Sequence, residues 1–238
     1  MYHLYRRKIA LAISVLIVLS AKAQHAVELN LPDHDDKKYY FGISLGYNRS
    51  NYNISHDSSF INNNQVSGIE SFNTGRVHLG ILANYQLSKR FDLRFSPLNL
   101  VFSDKIIKFY KRNDPASEET TPSITMTFPL QVRLKSDRIN NMRVYTLMGG
   151  KYEFDLASNA KSTSDVLKIK KNDYGVEGGI GFQFFFPYFI LSPEIKISYG
   201  LSNVHARDPE IPFSKLMNIM NSRLIMFTLH FEGGGLGK

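Results

Sequence analysis

A hydrophobic period of two residues, recurring from residue 39 to residue 231, constrains this chain more than anything else in its sequence. Successive side chains of a strand point to opposite faces, so each such run describes a strand with one apolar and one polar side. Tyr39, Phe41, Ile43, Leu45 and Tyr47 alternate with Tyr40, Gly42, Ser44, Gly46 and Asn48. Val77, Leu79, Ile81, Ala83, Tyr85 and Leu87 alternate with Arg76, His78, Gly80, Asn84 and Gln86. The cleanest run is Ile124 to Leu134, where Met126, Phe128, Leu130 and Val132 oppose Thr125, Thr127, Pro129, Gln131 and Arg133. Between them, Phe91, Leu93 and Phe95 hand over to Leu98, Leu100 and Phe102 across Ser96-Pro97, a change of parity that predicts a bulge. Four further runs, near 143–155, 173–186, 189–201 and 225–231, bring the expected strands to about eight.

Alternation alone fits a soluble β-sandwich as well as a membrane barrel, and the connections separate the two. Residues 88–90, 136–141 and Pro187-Tyr188 are short links, whereas 51–71, 104–121, 156–171 and 203–222 are long and rich in Asn, Ser and Asp. Strict alternation of short and long connections belongs to bacterial outer-membrane barrels, with short turns in the periplasm and long loops outside. The expected fold is therefore all-β, a single transmembrane antiparallel up-and-down barrel spanning residues 39–232, located in the outer membrane with lipid and lipopolysaccharide as neighbours.

The N-terminus agrees with export. Arg6, Arg7 and Lys8 precede an apolar run from Ile9 to Leu19, then Ala21-Lys22-Ala23. The run is shorter than the roughly 20 residues of a spanning helix, so 1–23 reads as a cleavable signal peptide. Residues 24–38 form a periplasmic lead-in and 233–238 a short tail. Cysteine is absent, which excludes disulfides, cysteine-bound metal and a lipoprotein anchor. The formal charge of +8 falls to +4 once the four cations of the leader are removed from 29 basic against 21 acidic residues. The remaining charge is scattered, and no basic stripe points to nucleic acid.

An eight-stranded barrel has an interior that its own side chains fill. Arg76, Arg94, Arg133, Arg143, Lys151 and Lys196 share the polar parity with Glu153, Glu177 and Glu194, a mixture that can pair internally. The alternative use of such residues is a proton or substrate path. Rim catalysis has raw material in His56, Asp57 and Ser58, and in His205 and Asp208, but neighbours in a polar loop seldom hold a base against a nucleophile. His34, Asp35 and Asp36 beside Lys37 and Lys38 read as a charged linker or a weak metal site. No cofactor is called for by any motif. Phe213, Leu216, Met217 and Met220 recur at helical spacing between Pro212 and Asn221, predicting a short amphipathic helix that covers either the barrel mouth or a partner.

From residue 124 onward the sequence resembles the PorT/SprT family of the type IX secretion and gliding machinery; with the opening strand Tyr39 to Asn48 the likeness covers most of the mature chain, and it is densest between Thr127 and Ser202. The resemblance rests on Phe128-Pro129-Leu130, on Arg133-Leu134-Lys135-Ser136 running into Asp137-Arg138-Ile139-Asn140-Asn141, and on Gly149-Gly150-Lys151-Tyr152. Gly178-Gly179-Ile180-Gly181-Phe182, Phe186-Pro187-Tyr188, Ser192-Pro193-Glu194 and Phe231-Glu232 continue it. It implies a non-catalytic part in exporting proteins across the outer membrane, with other secretion proteins and cargo as partners. Asp137, Arg138, Asn140 and Asn141, with the Phe213 to Met220 stripe, are the candidate partner contacts. A stand-alone barrel for adhesion or lipid binding, or a rim enzyme, are the alternatives.

Overall fold

A computed structural model describes residues 28–60, 66–111, 117–121, 123–156, 168–208 and 211–233. The expected signal peptide and residues 234–238 lie outside these. Eleven strands follow in chain order: β1 (Tyr39–His56), β2 (Val66–Phe72), β3 (Thr74–Gln86), β4 (Phe91–Phe102), β5 (Lys105–Lys111), β6 (Ser117–Thr121), β7 (Ile124–Lys135), β8 (Met142–Asp155), β9 (Asn172–Phe185), β10 (Phe189–Gly200) and β11 (Met217–Gly233). Eight of them close a barrel in the order β1-β11-β10-β9-β8-β7-β4-β3, every neighbour antiparallel. The last strand returns to the first through a register from Gly42 opposite Glu232 to His56 opposite Met217, so no barrel edge is left unpaired.

The period of two fixes which face is which. Tyr39 to Tyr47, Val77 to Leu87, Leu130 to Leu134, Ile195 to Ile197 and Ile225 to Phe227 stand exposed on the outside, and their polar neighbours are buried in the lumen. A closed cylinder with an apolar outer belt and a charged interior is stable only with hydrocarbon around it. The three short turns join β3 to β4, β7 to β8 and β9 to β10, as their lengths required. The parity change in β4 is a real irregularity: its pairing with β7 breaks between Phe95 and Leu100, and with β3 opposite Ile81 and Ala83. Ser96 and Asn99 both face inward on either side of Pro97-Leu98.

The long connections depart from the expectation of loops. β1 and β11 run on past the belt as a ribbon, while the first two long connections contribute β2, β5 and β6, a separate three-stranded antiparallel sheet. This sheet packs on the ribbon through Tyr52, Val66, Ile69, Ile107, Phe109, Val204, Leu216, Met217 and Met220. The barrel thus carries a folded extracellular cap with its own apolar core. The amphipathic helix expected over Phe213 to Met220 is absent: Pro212–Leu216 is a single 3-10 turn, and Met217 already begins β11.

Candidate functional site

The lumen is filled by paired ionic and polar side chains. Arg133 and Arg94 occupy its centre, held inward by their parity on β7 and β4. Arg133 pairs with Asp92 at 2.6 Å and with Glu232 at 3.3 Å, and also donates to the Tyr40 hydroxyl. Arg94 pairs with Glu194 at 2.6 Å and Glu232 at 3.0 Å, and its Nε donates to Asn84 at 3.0 Å. Lys135 reaches the second oxygen of Asp92 at 2.7 Å, Gln183 donates to Glu232 at 3.0 Å, and the Tyr145 hydroxyl donates to Glu194 at 2.8 Å. Further along the axis Lys196 lies 3.1 Å from Glu177, which also accepts from Gln131 at 2.5 Å. Four cations and four carboxylates therefore neutralise each other out of water, the condition under which buried charge is tolerated. Gly181 makes the width available, since a Cβ there would meet the Tyr145 ring at 2.4 Å.

Nearer the cap, Lys151 pairs with Glu153 at 2.8 Å, and Asp173 accepts from Ser202 and Ser222. Two interior cavities, one beside His78 and His230 and one beneath Lys105, measure about 20 Å³ each. That is room for one water apiece. Of the expected interior set, Arg94, Arg133, Lys151, Glu153, Glu177, Glu194 and Lys196 meet there. Arg76 does not: its side chain is about half exposed above the belt and pairs with Asp104. Asp92, Glu232, Lys135 and Tyr40 are central members that charge counting missed, although the inward parity of their strands marked each one.

The periplasmic mouth is closed by the lead-in, which is not the charged linker its sequence suggested. His34 is buried, with its ring 4.5 Å from that of Tyr40 and 5.8 Å from that of Phe185, both edge-on. Burial pulls its pKa down to about 4, only partly opposed by Glu232 and Asp35, so the ring is neutral at pH 7. Asp35 pairs with Arg143 at 2.6 Å, placing that arginine at the mouth instead of in the central network. The turn 136–141 grips the same segment. Arg138 donates to the carbonyls of Asn30 and Leu31 and lies 3.7 Å over the Phe185 ring, and Asn141 accepts from the Asn30 amide and donates to the Glu28 carbonyl. Asn140, at φ 53°, supplies the left-handed residue of the turn. Asp137 stays at the surface in an ion pair with Arg90 at 2.7 Å.

On the extracellular side no nucleophile meets a base in a usable geometry among the described residues. His56 lies against the Phe60 ring. Asp57 accepts from the Ser59 amide and hydroxyl, which with Arg207 holds its carboxyl below the usual range. His205 does contact Ser214 at 2.9 Å, but Ser214 is fully buried and accepts from the Asp208 amide, while the Asp208 carboxylate pairs with Lys168. This pair fastens a turn. Leu216, Met217 and Met220 are buried in the cap core, so they are unavailable to a partner; the side chain of Phe213 lies outside the described residues.

Residues 98–206 match the family model described as outer membrane protein beta-barrel domain. No curated protein matches the chain. Among solved structures it is similar to the outer membrane protein OprG from Pseudomonas aeruginosa, at 14% identity over 83% of this chain and 94% of that one, TM-score 0.47. Neisserial surface protein A gives 9% identity over 82% and 97%, TM-score 0.44. Ail, the attachment invasion locus protein of Yersinia pestis, gives 10% over 82% and 99%, TM-score 0.36.

Proposed function

We propose that this chain, an outer-membrane β-barrel, is a non-catalytic component of the type IX protein secretion machinery, assisting export of cargo without conducting it. The observation that carries the form of this role is the plugged lumen. A paired ionic network, cavities of single-water size and the lead-in docked across the periplasmic mouth leave no route for a polypeptide. The machine it serves is read from the resemblance to the PorT/SprT family, densest between Thr127 and Ser202. Function then resides at the two ends. On the periplasmic side, Asp137 and Asn140 remain exposed on a turn that is braced against the lead-in, offering a rigid composite surface to a translocon or assembly partner.

Deleting the gene and analysing the culture medium tests this reading. General loss of type IX cargo with an intact outer membrane supports it, and normal secretion refutes it. The folded extracellular cap favours a second reading, a stand-alone surface barrel for adhesion or lipid binding. Under that reading secretion persists and only attachment or lipid composition changes.

A further inference from the structure

Nine arginines lie among the described residues, and seven have a carboxylate or carbonyl partner within this chain: those at 76, 90, 94, 133, 138, 143 and 207. Arg49 and Arg223 alone have no ion pair and no side-chain hydrogen bond among the described residues. Both are exposed, and the register makes them neighbours. Arg49 on β1 stands opposite Ile225 of β11, and Arg223 of β11 stands opposite Asn51 of β1, so the two guanidinium groups are diagonal on one face of a strand pair, about 7–8 Å apart at the backbone. That face is the outer one, because Asn48, Ser50, Ser222 and Leu224 on the opposite parity are buried.

Their depth is equally defined. One step toward the periplasm the outward residues are Tyr47 and Ile225, flanked by Val77 on β3 and Ile197 on β10, an apolar rung of the belt. Tyr199 stands directly beside Arg223 on β10. Arg49 and Arg223 are thus the first polar outward positions of β1 and β11 toward the cap, with the aromatic Tyr47 and Tyr199 beside them at the interfacial position. Two like charges held this close raise each other's energy unless an anion lies between them, and the described residues supply none.

We propose that Arg49 and Arg223 form a phosphate clamp for an outer-leaflet lipid, with the phosphorylated glucosamine headgroup of lipopolysaccharide as its occupant. The forked donors of two arginines suit phosphate oxygens in bidentate geometry, Asn51 adds an amide on the same face, and the acyl chains run down the exposed belt of Tyr47, Leu45, Ile225 and Phe227. The assignment is independent of any secretion role.

The test uses the purified mature chain in detergent, with bound lipid counted by native mass spectrometry during titration with bis-phosphorylated lipid A. Wild type binds, and Arg49→Gln with Arg223→Gln weakens binding by about 100-fold, tenfold for each guanidinium–phosphate hydrogen-bonding pair removed. Arg49→Lys with Arg223→Lys falls between, and Lys89→Gln, at the opposite end of the barrel, leaves affinity unchanged. Dephosphorylated lipid A binds wild type as weakly as intact lipid A binds the double glutamine variant. Equal affinity of wild type and double variant for lipid A overturns the proposal, as does indifference to removal of the phosphates. Inorganic phosphate matching lipid A in affinity would show a simple anion site and overturn the lipid assignment. Should the double variant fail to fold, the comparison of intact with dephosphorylated lipid on wild type decides alone.

Discussion

Glu232 is the carboxylate on which the lumen turns, and its removal has a calculable consequence. Its two oxygens accept from Arg94, Arg133 and Gln183, and it is fully buried near the last rung of β11, the strand that closes the barrel. In Glu232→Leu the two guanidiniums keep Glu194 and Asp92 but lose their shared counter-ion, and Gln183 loses its acceptor. Breaking a buried pair by deleting one partner is worth about 3–5 kcal/mol, because a charge is left uncompensated in low dielectric. At about 1.4 kcal/mol per factor of ten, the folding equilibrium should fall roughly a thousandfold. Urea unfolding of the barrel reconstituted in lipid vesicles, followed by circular dichroism and by the mobility difference between folded and unfolded barrel on gels, measures this directly. Adding Arg133→Met removes the opposed charge, so the double variant should be more stable than the sum of the two single effects predicts, by at least about 1 kcal/mol. A destabilisation below about 1 kcal/mol for Glu232→Leu would refute the idea that the network is closely paired and dry.

Three further outcomes follow from other parts of the molecule. Docking of the lead-in should weaken on acidification: His34 has a folded pKa of about 4 against 6.5 when free, so only the undocked form takes up a proton between those values. Protection of the 28–37 amides from hydrogen exchange should be complete above pH 6.5 and decline toward pH 4, by up to about 3 kcal/mol, and His34→Phe should abolish this dependence. On β8, Gly149→Val should block assembly, because a Cβ there meets the Leu130 carbonyl oxygen at 2.1 Å, whereas Gly150→Ala, with its nearest neighbour 3.7 Å away, should fold normally when scored by the same gel mobility difference. Met217→Asp, which buries a charge in the cap core, should expose the cap to surface protease while the barrel remains resistant.

The lipid face was legible in the sequence because period two is both cause and sign of a strand exposed to different media on its two sides. The same parity marked Arg94, Arg133 and Glu194 as inward, but pairing was out of reach: Arg94 and Glu232 are 138 residues apart and meet only once the barrel has closed. The cap was hidden by its charges. Lys105 to Lys111 alternates, with Ile107 and Phe109 inward, yet lysines at the ends and middle gave it the profile of a loop. Met217 and Met220 imitated a helix because β11 is irregular opposite Ser55 and His56, skipping Asn218; the extra residue turns a spacing of two into one of three. His34-Asp35-Asp36 read as linker because its partners, Tyr40, Phe185 and Arg143, come from three different strands.

The plugged barrel is tested most directly by planar-bilayer recording of the purified chain at neutral pH. A lumen filled by paired charges and closed by the lead-in should give no conductance steps, and removing residues 24–37 should still give none, since the Arg94, Arg133 and Glu232 layer remains. Stable, reproducible ion-conducting steps from the intact chain would contradict a sealed scaffold and restore the barrel as a channel.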